Sequence, residues 1–219
     1  MGSAAKSDTK SKKNDKVTRD KILSAAEELF AQNGYAATSI SKIAKKAGVL
    51  SGSIYWIFDS KDAIFSAVLI NSSEQWKQRV DRSGIFYPAV PHDYDELEEM
   101  VTKSLYVLKD SPTFVKLIHV AVVEDKTENA EVRDALKSLR SGWIQDTDKN
   151  LVAMFTQLPE KQVRAIARRY GRLLIGIADG IFMRNAIEAT KSGHKEMCAT
   201  AAKSIVAGIK VEIEALENS

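Results

Sequence analysis

Six residues between positions 38 and 61 carry groups suited to a charged, hydrogen-bonding surface: Thr38, Ser39, Ser51, Gly52, Ser53 and Lys61. Their chemistry is that of donors and acceptors, not of a nucleophile poised beside a base. Ser51 and Ser53 each offer a hydroxyl that donates or accepts at a base edge, with little preference among bases. Thr38 and Ser39 stand at the start of a helix and can present hydroxyl and backbone N–H groups to phosphate. Lys61 can add positive charge from the next helix. Gly52 has no Cβ, which lets the backbone approach a base or phosphate closely.

The elements that must position these groups are two short helical patterns. In the first, Thr38 or Ser39 serves as N-cap, and Ile40, Ile43, Ala44 and Ala47 share one inward face. Gly48 sits where a helix ends in a left-handed residue. The second pattern restarts near Ser51 and turns Ile54, Ile57 and Phe58 inward. Two short helices joined by a glycine-containing turn are the layout of a helix-turn-helix, whose second helix enters the DNA major groove. An ordinary helical hairpin gives the same pattern.

Enzyme chemistry has no comparable footing. The three histidines, His92, His119 and His194, form no ligand pair, and no paired carboxylates or phosphate-cradling glycine loop stand out. Cys198 is the single cysteine, which excludes an intramolecular disulfide and a multi-cysteine metal site and suits a reducing compartment. The expectation is a protein without enzymatic activity, cofactor or metal. No apolar run approaches the roughly 18–20 residues of a membrane span, and the first residues lack the apolar stretch of a signal peptide, so a cytoplasmic location is expected.

The 219 residues can bury a substantial core, and 44% hydrophobic with 28% charged residues fits a globular chain. The net charge of +3 is uneven: residues 1–62 carry +4 and the remainder −1. A basic start and a near-neutral body suit a DNA reader joined to a different module. Residues 1–17 are rich in Lys, Ser and Asp and read as a disordered basic arm. A first helix is expected over 18–33, with Thr18 as N-cap and Ile22, Ala25, Ala26, Leu29 and Phe30 inward. A helix from about 61 to 82 spans about 30 Å at ~1.5 Å per residue, enough to join a head to a body. After a Gly- and Pro-containing loop at 83–91, helical periodicity returns at 93–109, 112–123, 130–157, 159–190 and 194–217, with Ser111-Pro112 opening the second of these. No segment alternates with period two. The chain reads as all-α, with about nine helices.

Residues 18–69 carry a resemblance. TRDKILSAAEELFAQNGYAATSISKIAKKAGV followed by SGSIYWIFDSKDAIFSAVL resembles the N-terminal domain of the TetR/AcrR family of bacterial regulators. The family's recognition helix reads close to S-K-G-T-L-Y-R-H-F, against Leu50-Ser51-Gly52-Ser53-Ile54-Tyr55-Trp56-Ile57-Phe58 here. The resemblance implies a phosphate contact for Tyr55, which the Trp56 indole N–H can join. Two positions depart from the family: Leu50 stands where it usually caps with Ser or Thr, and Ile57 replaces a His and reads as core. With no Arg or Lys aimed at guanine, base reading leans on Ser51, Ser53, thymine methyl groups and DNA shape.

The resemblance implies a division into a helix-turn-helix domain at 18–64 and a ligand-binding and dimerisation domain at 65–219. The segment 173–183 is apolar nearly all round, with Gly176 and Gly180 four apart, and the last helix carries small residues including Ala207 and Gly208. In the family the last two helices pair with a twofold copy. In the long helix at 130–157 the inward stripe through Val132, Leu136, Leu139 and Trp143 meets Thr147 and Asn150, polar groups that need partners. By family analogy these join Trp76, Phe114, Ile118, Phe155, Phe182 and Met183 around an apolar effector pocket, with Asp179 and His119 as further anchors. The implied function is a ligand-responsive regulator, a repressor by analogy, that binds a palindromic double-stranded operator as a homodimer and releases it on binding a small, largely apolar effector. The alternative is a helix-turn-helix interaction protein with no small-molecule effector.

Overall fold

The computed structural model describes residues 4–82, 90–110, 113–188 and 193–218. Over these residues the chain forms nine α-helices: α1 Ala4–Asn33, α2 Ile40–Ala47, α3 Ser51–Ile57, α4 Lys61–Arg82, α5 Tyr94–Tyr106, α6 Thr113–Val123, α7 Ala130–Met154, α8 Glu160–Glu188 and α9 His194–Glu217. Two 3-10 turns, Val107–Asp110 and Lys126–Glu128, complete them, and no strand occurs among the described residues. The all-α reading holds. No described helix is long and apolar enough to cross a membrane.

One boundary is corrected. Residues 4–17, read as a disordered arm, continue α1 back to Ala4. No Pro or Gly interrupts the run, and the Thr18 hydroxyl donates back to the Asn14 carbonyl at 2.9 Å, as in a helix interior, instead of capping a new start. The 3-10 turn ends α5 earlier than the periodicity suggested, and α7 stops at Met154 instead of 157. Most of the expected 83–91 loop, the Ser111-Pro112 start and the end of the helix near 190 lie outside the described residues.

The chain divides into two compact units. The first comprises Met1–Glu74 and Lys116–Lys137, the second Gln75–Val115 and Ser138–Ser219. In the first unit α1 packs against α2 and α3. Ser39, not Thr38, caps α2, its hydroxyl accepting from the Lys42 N–H at 3.3 Å. Gly48 ends that helix at φ +67°, a conformation easy only for glycine, and the Val49 N–H reaches back to the Ala44 carbonyl at 3.0 Å. The Ser60 hydroxyl caps α4 by accepting from the Ala63 N–H at 2.9 Å. Phe30, Tyr35 and Phe65 form an aromatic core, with ring centroids 4.9–5.6 Å apart. In the second unit α9 packs against α5 and α8. Its core runs through Leu105, Leu151, Val163, Cys198 and Ile213.

Candidate nucleic-acid interface

α3 buries one face and leaves the other open. Ile54 is fully buried and Phe58 nearly so, whereas Tyr55 is 58% and Trp56 83% exposed. Leu50, the residue before the helix, is 80% exposed and makes no capping bond with its side chain. An apolar side chain has no acceptor for the first N–H groups of the helix. Ile57, read as core, is half-buried. Ser51 and Gly52 are exposed, Ser53 is half-buried, and a Cβ at Gly52 would meet nothing within 4 Å. Ser39 lies exposed at the start of α2, its hydroxyl 2.9 Å from that of Ser41.

Two of the eight residues point elsewhere. Thr38 is 1% exposed; its hydroxyl donates to the Gly34 carbonyl at 2.8 Å and lies 3.3 Å from that of Leu29. Its N–H donates to the Tyr35 carbonyl at 3.2 Å. Neither group is left to present to phosphate, so the expectation for Thr38 is corrected: it ties the end of α1 to the start of α2. The Lys61 ammonium is also engaged, donating to the carbonyls of Tyr35 at 3.0 Å and Thr38 at 2.9 Å. It lies 4.0 Å from the Tyr35 ring centroid, and burial, then the neighbouring Lys126, pushes its pKa down. Lys61 therefore braces the turn before α2 instead of standing free for phosphate.

Behind the candidate surface lies a polar cluster that the sequence reading did not contain. Glu124, just past α6, accepts from the N–H of Tyr35 at 2.8 Å and of Ala36 at 2.6 Å. The Tyr35 hydroxyl donates to Asp62 at 2.5 Å, and the other Asp62 oxygen accepts from the Asn129 amide at 3.1 Å. Lys126 lies 4.3 Å from the Tyr35 ring centroid. Burial, followed by the bond to Asp62, pushes the Tyr35 phenol well above its ordinary pKa. Tyr35 and Glu124 are 89 positions apart, so no local pattern relates them. α2 also contributes cations absent from the candidate set: exposed Lys45, and Lys42, whose ammonium donates to the Ala37 carbonyl at 2.8 Å.

The residues named for an effector pocket are divided between the two units. Trp76, Phe114 and Trp143 assemble in the second unit, with Phe114 fully buried 5.0 Å from the Trp76 ring centroid and 5.6 Å from that of Trp143. Ile118 is buried but belongs to the first unit. Phe155 belongs to the α5–α9 core and packs on Tyr94. Met183 is exposed. The polar candidates have partners within the chain. The Thr147 hydroxyl donates to the Trp143 carbonyl at 3.2 Å, the Asn150 amide lies 3.7 Å from the Met100 sulfur, and Asp179 pairs with Arg140 at 2.7 Å. His119 is half-buried. The buried polar residue of α7 is instead Asp148, paired with Arg168 at 2.9 Å and with Arg164 at 3.6 Å.

The small residues of the last two helices also divide. Gly176 and Gly180 are exposed with open space around each, and Leu173, Met183 and Ile187 continue the same side of α8. Gly208 instead admits Tyr170 of α8: a Cβ there would lie 2.6 Å from the phenol oxygen, which bonds Glu212 at 3.0 Å. Gly208 thus serves packing within the subunit, a correction to its place on a dimer face.

Residues 22–68 match the family described as "Bacterial regulatory proteins, tetR family". Among curated proteins, the chain is 46% identical to the HTH-type transcriptional regulator AcrR of Shigella flexneri over 59 residues, 27% of each chain. It is 29% identical to the fatty acid metabolism regulator protein of Bacillus subtilis over 133 residues, 58% of this chain and 62% of that protein. The matched segments thus span less than two thirds of these relatives. Among solved structures, the transcriptional regulator FadR from Bacillus subtilis in complex with stearoyl-CoA is similar in fold. It has a TM-score of 0.63 at 22% identity, with 86% of this chain and 97% of that chain covered. Salmonella enterica GusR gives 0.60 at 20% identity, covering 90% and 95%.

Proposed function

Since the chain belongs to the tetR family of bacterial regulatory proteins, we propose that it is a cytoplasmic, ligand-responsive transcriptional repressor that binds a palindromic operator as a homodimer. The observation that carries the reading is α3, a helix with Ile54 fully buried on one face and Ser51, Gly52, Tyr55 and Trp56 exposed on the other. A short helix anchored by one apolar face and open on the other has the geometry to enter a major groove. Residues 18–64 take the DNA-reading role and residues 65–219 the effector and dimer roles. Ser39, Ser51, Gly52, Ser53, Tyr55 and Trp56 are the proposed contacts. Base specificity then rests on hydroxyls, apolar contacts and DNA shape, because α3 itself carries no cation.

Two half-sites one helical turn apart, about 34 Å, require two recognition helices, hence a dimer. The open side of α8 through Leu173, Gly176, Gly180 and Ile187 supports pairing with a second copy. The effector is an amphiphile with a long apolar part, and stearoyl-CoA is its first probe, supported by the similarity to a fatty acid metabolism regulator. Release follows if the ligand binds better to the conformation whose two heads are wrongly spaced for the operator.

Selection from random duplexes by the full-length chain, followed by gel shift across a salt series, tests the DNA reading. A palindromic consensus with salt-sensitive binding is expected; no enrichment overturns it. Titrating stearoyl-CoA into the selected complex tests the effector class, and an undiminished complex overturns that part. The exposed Leu50 and Trp56 and the absence of a cation on α3 favour a second reading, a helix-turn-helix protein whose head grips a protein partner. It predicts no enriched duplex.

A further inference from the structure

The geometry points to Glu124 as a positioning residue for DNA reading: its carboxylate holds the turn from which α2 and α3 are presented, although it stands far from them in sequence. This inference rests on the proposed DNA-binding function and adds a residue outside the helix-turn-helix on which that function depends. Both Glu124 oxygens are committed to the turn, one to the N–H of Tyr35 and one to that of Ala36. A carboxylate accepting two backbone N–H groups forms charge-assisted bonds, roughly twice as strong as neutral ones. The turn is shaped to receive it. Gly34 adopts φ +80°, and a Cβ there would overlap Glu124 Oε1, so the glycine supplies both the left-handed backbone and the space for the carboxylate.

The carboxylate is held in place in its turn. Asp125, next to it, takes the left-handed conformation at φ 53°, and its carbonyl accepts from the Glu128 N–H as the 3-10 turn begins. Asn129 at the far end caps α7, accepting from the Val132 N–H at 3.1 Å, while its amide reaches Asp62 in the first turn of α4. Asp62 receives the Tyr35 hydroxyl, and Lys61 beside it grips the carbonyls of Tyr35 and Thr38. The corner 124–129 therefore holds the same turn twice, directly through Glu124 and indirectly through Asn129 and Asp62. Ser39 caps α2 immediately after Thr38, so displacement of this turn displaces the start of α2. A head that samples other orientations binds DNA only in its competent fraction, and the apparent affinity falls by that fraction.

The test uses the full-length chain and the duplex it selects from a random pool. Glu124→Gln keeps the shape and removes the charge; its amide oxygen can serve one N–H while its NH2 faces the other. A loss of about tenfold or more in affinity is expected, with an unchanged slope of log affinity against log salt because no phosphate contact is lost. Amide hydrogen exchange at Tyr35 and Ala36 should accelerate in the same variant, with exchange in α8 and α9 unchanged. Faster exchange at these amides with undiminished affinity overturns the proposal, as does a flattened salt slope, which means that cation–phosphate contacts were lost instead of the competent orientation of the head. If Glu124→Gln does not fold, Glu124→Asp keeps the charge and draws the carboxylate back from the two N–H groups. Its expected result is a weaker complex with the same salt slope, and wild-type affinity overturns the proposal. A wild-type chain that enriches no duplex instead refutes the underlying DNA-binding reading, and the two failures are distinguishable.

Discussion

α3 and the aromatic group of the second unit stand in contrast. In α3 and the residue before it the bulky side chains point outward: Leu50, Tyr55 and Trp56 are exposed beside a buried Ile54. In the second unit Phe114 is fully buried between two tryptophan rings. Exposed aromatic surface on a short helix leaves binding energy for a partner, whereas Phe114 already has its partners in the fold. The difference separates residues whose loss should weaken recognition from those whose loss should weaken the protein.

The largest expected effect is on stability. Phe114→Ala should destabilise the second unit by about 3–5 kcal/mol, read as a lowered midpoint in urea unfolding; a midpoint within error of wild type would break the contrast from the body side. Next, Thr38→Val removes the bond from the buried hydroxyl to the half-buried Gly34 carbonyl, for a loss of about 1–3 kcal/mol in thermal or chemical unfolding. If its stability were unchanged while DNA binding weakened, Thr38 would belong to the phosphate surface after all. Tyr55→Phe should leave stability within about 0.5 kcal/mol and weaken operator binding by about 0.5–1.5 kcal/mol, the net value of one hydrogen bond. Unchanged affinity at moderate salt would remove Tyr55 from the contacts.

The smallest effect is a pH dependence of the cluster behind the surface. The Tyr35 pKa is raised in the folded chain, so the folded state holds this proton more tightly than the unfolded state. Its contribution is fully present below the unfolded value of about 10 and is lost as pH rises above it. Lys61, with a lowered pKa, works in the opposite sense and at lower pH, below its unfolded value of about 10.4, because burial disfavours its charged form. Tyr35→Phe removes the first and keeps the second, so its stability should fall less steeply than wild type between about pH 10 and 12. Equal slopes in alkaline unfolding curves would show that the phenol is not held this way.

Legibility followed sequence distance. The helix-turn-helix was readable because its signals are local: Ser39 as cap, Gly48 as a left-handed stop, and Ile43 and Ile54 at helical spacing. The same locality misled at residues 4–17, where polar composition suggested disorder although nothing in the run stops a helix. The effector residues were placed by analogy and by one helical stripe. A stripe cannot distinguish a side chain facing a ligand from one facing another helix, as Phe155 in the α5–α9 core illustrates. Thr147 and Asn150 did need partners, but found them in the Trp143 carbonyl and the Met100 sulfur, while Asp148, one position from the stripe, became the buried acid.

By itself the sequence determined the helices, the glycine that turns α2 into α3, and the family to which residues 22–68 belong. Each follows from periodicity, capping or a contiguous motif, which act within a few residues along the chain. Only the tertiary structure decided what Thr38, Lys61, Tyr35 and Glu124 do. Thr38 and Lys61 have the side chains of phosphate contacts, yet their donors go to backbone carbonyls that folding brings within 3 Å. Glu124 has no local signature at all. Its partners are two N–H groups nearly ninety residues away, and a carboxylate's role depends on which donors it meets once the chain has folded.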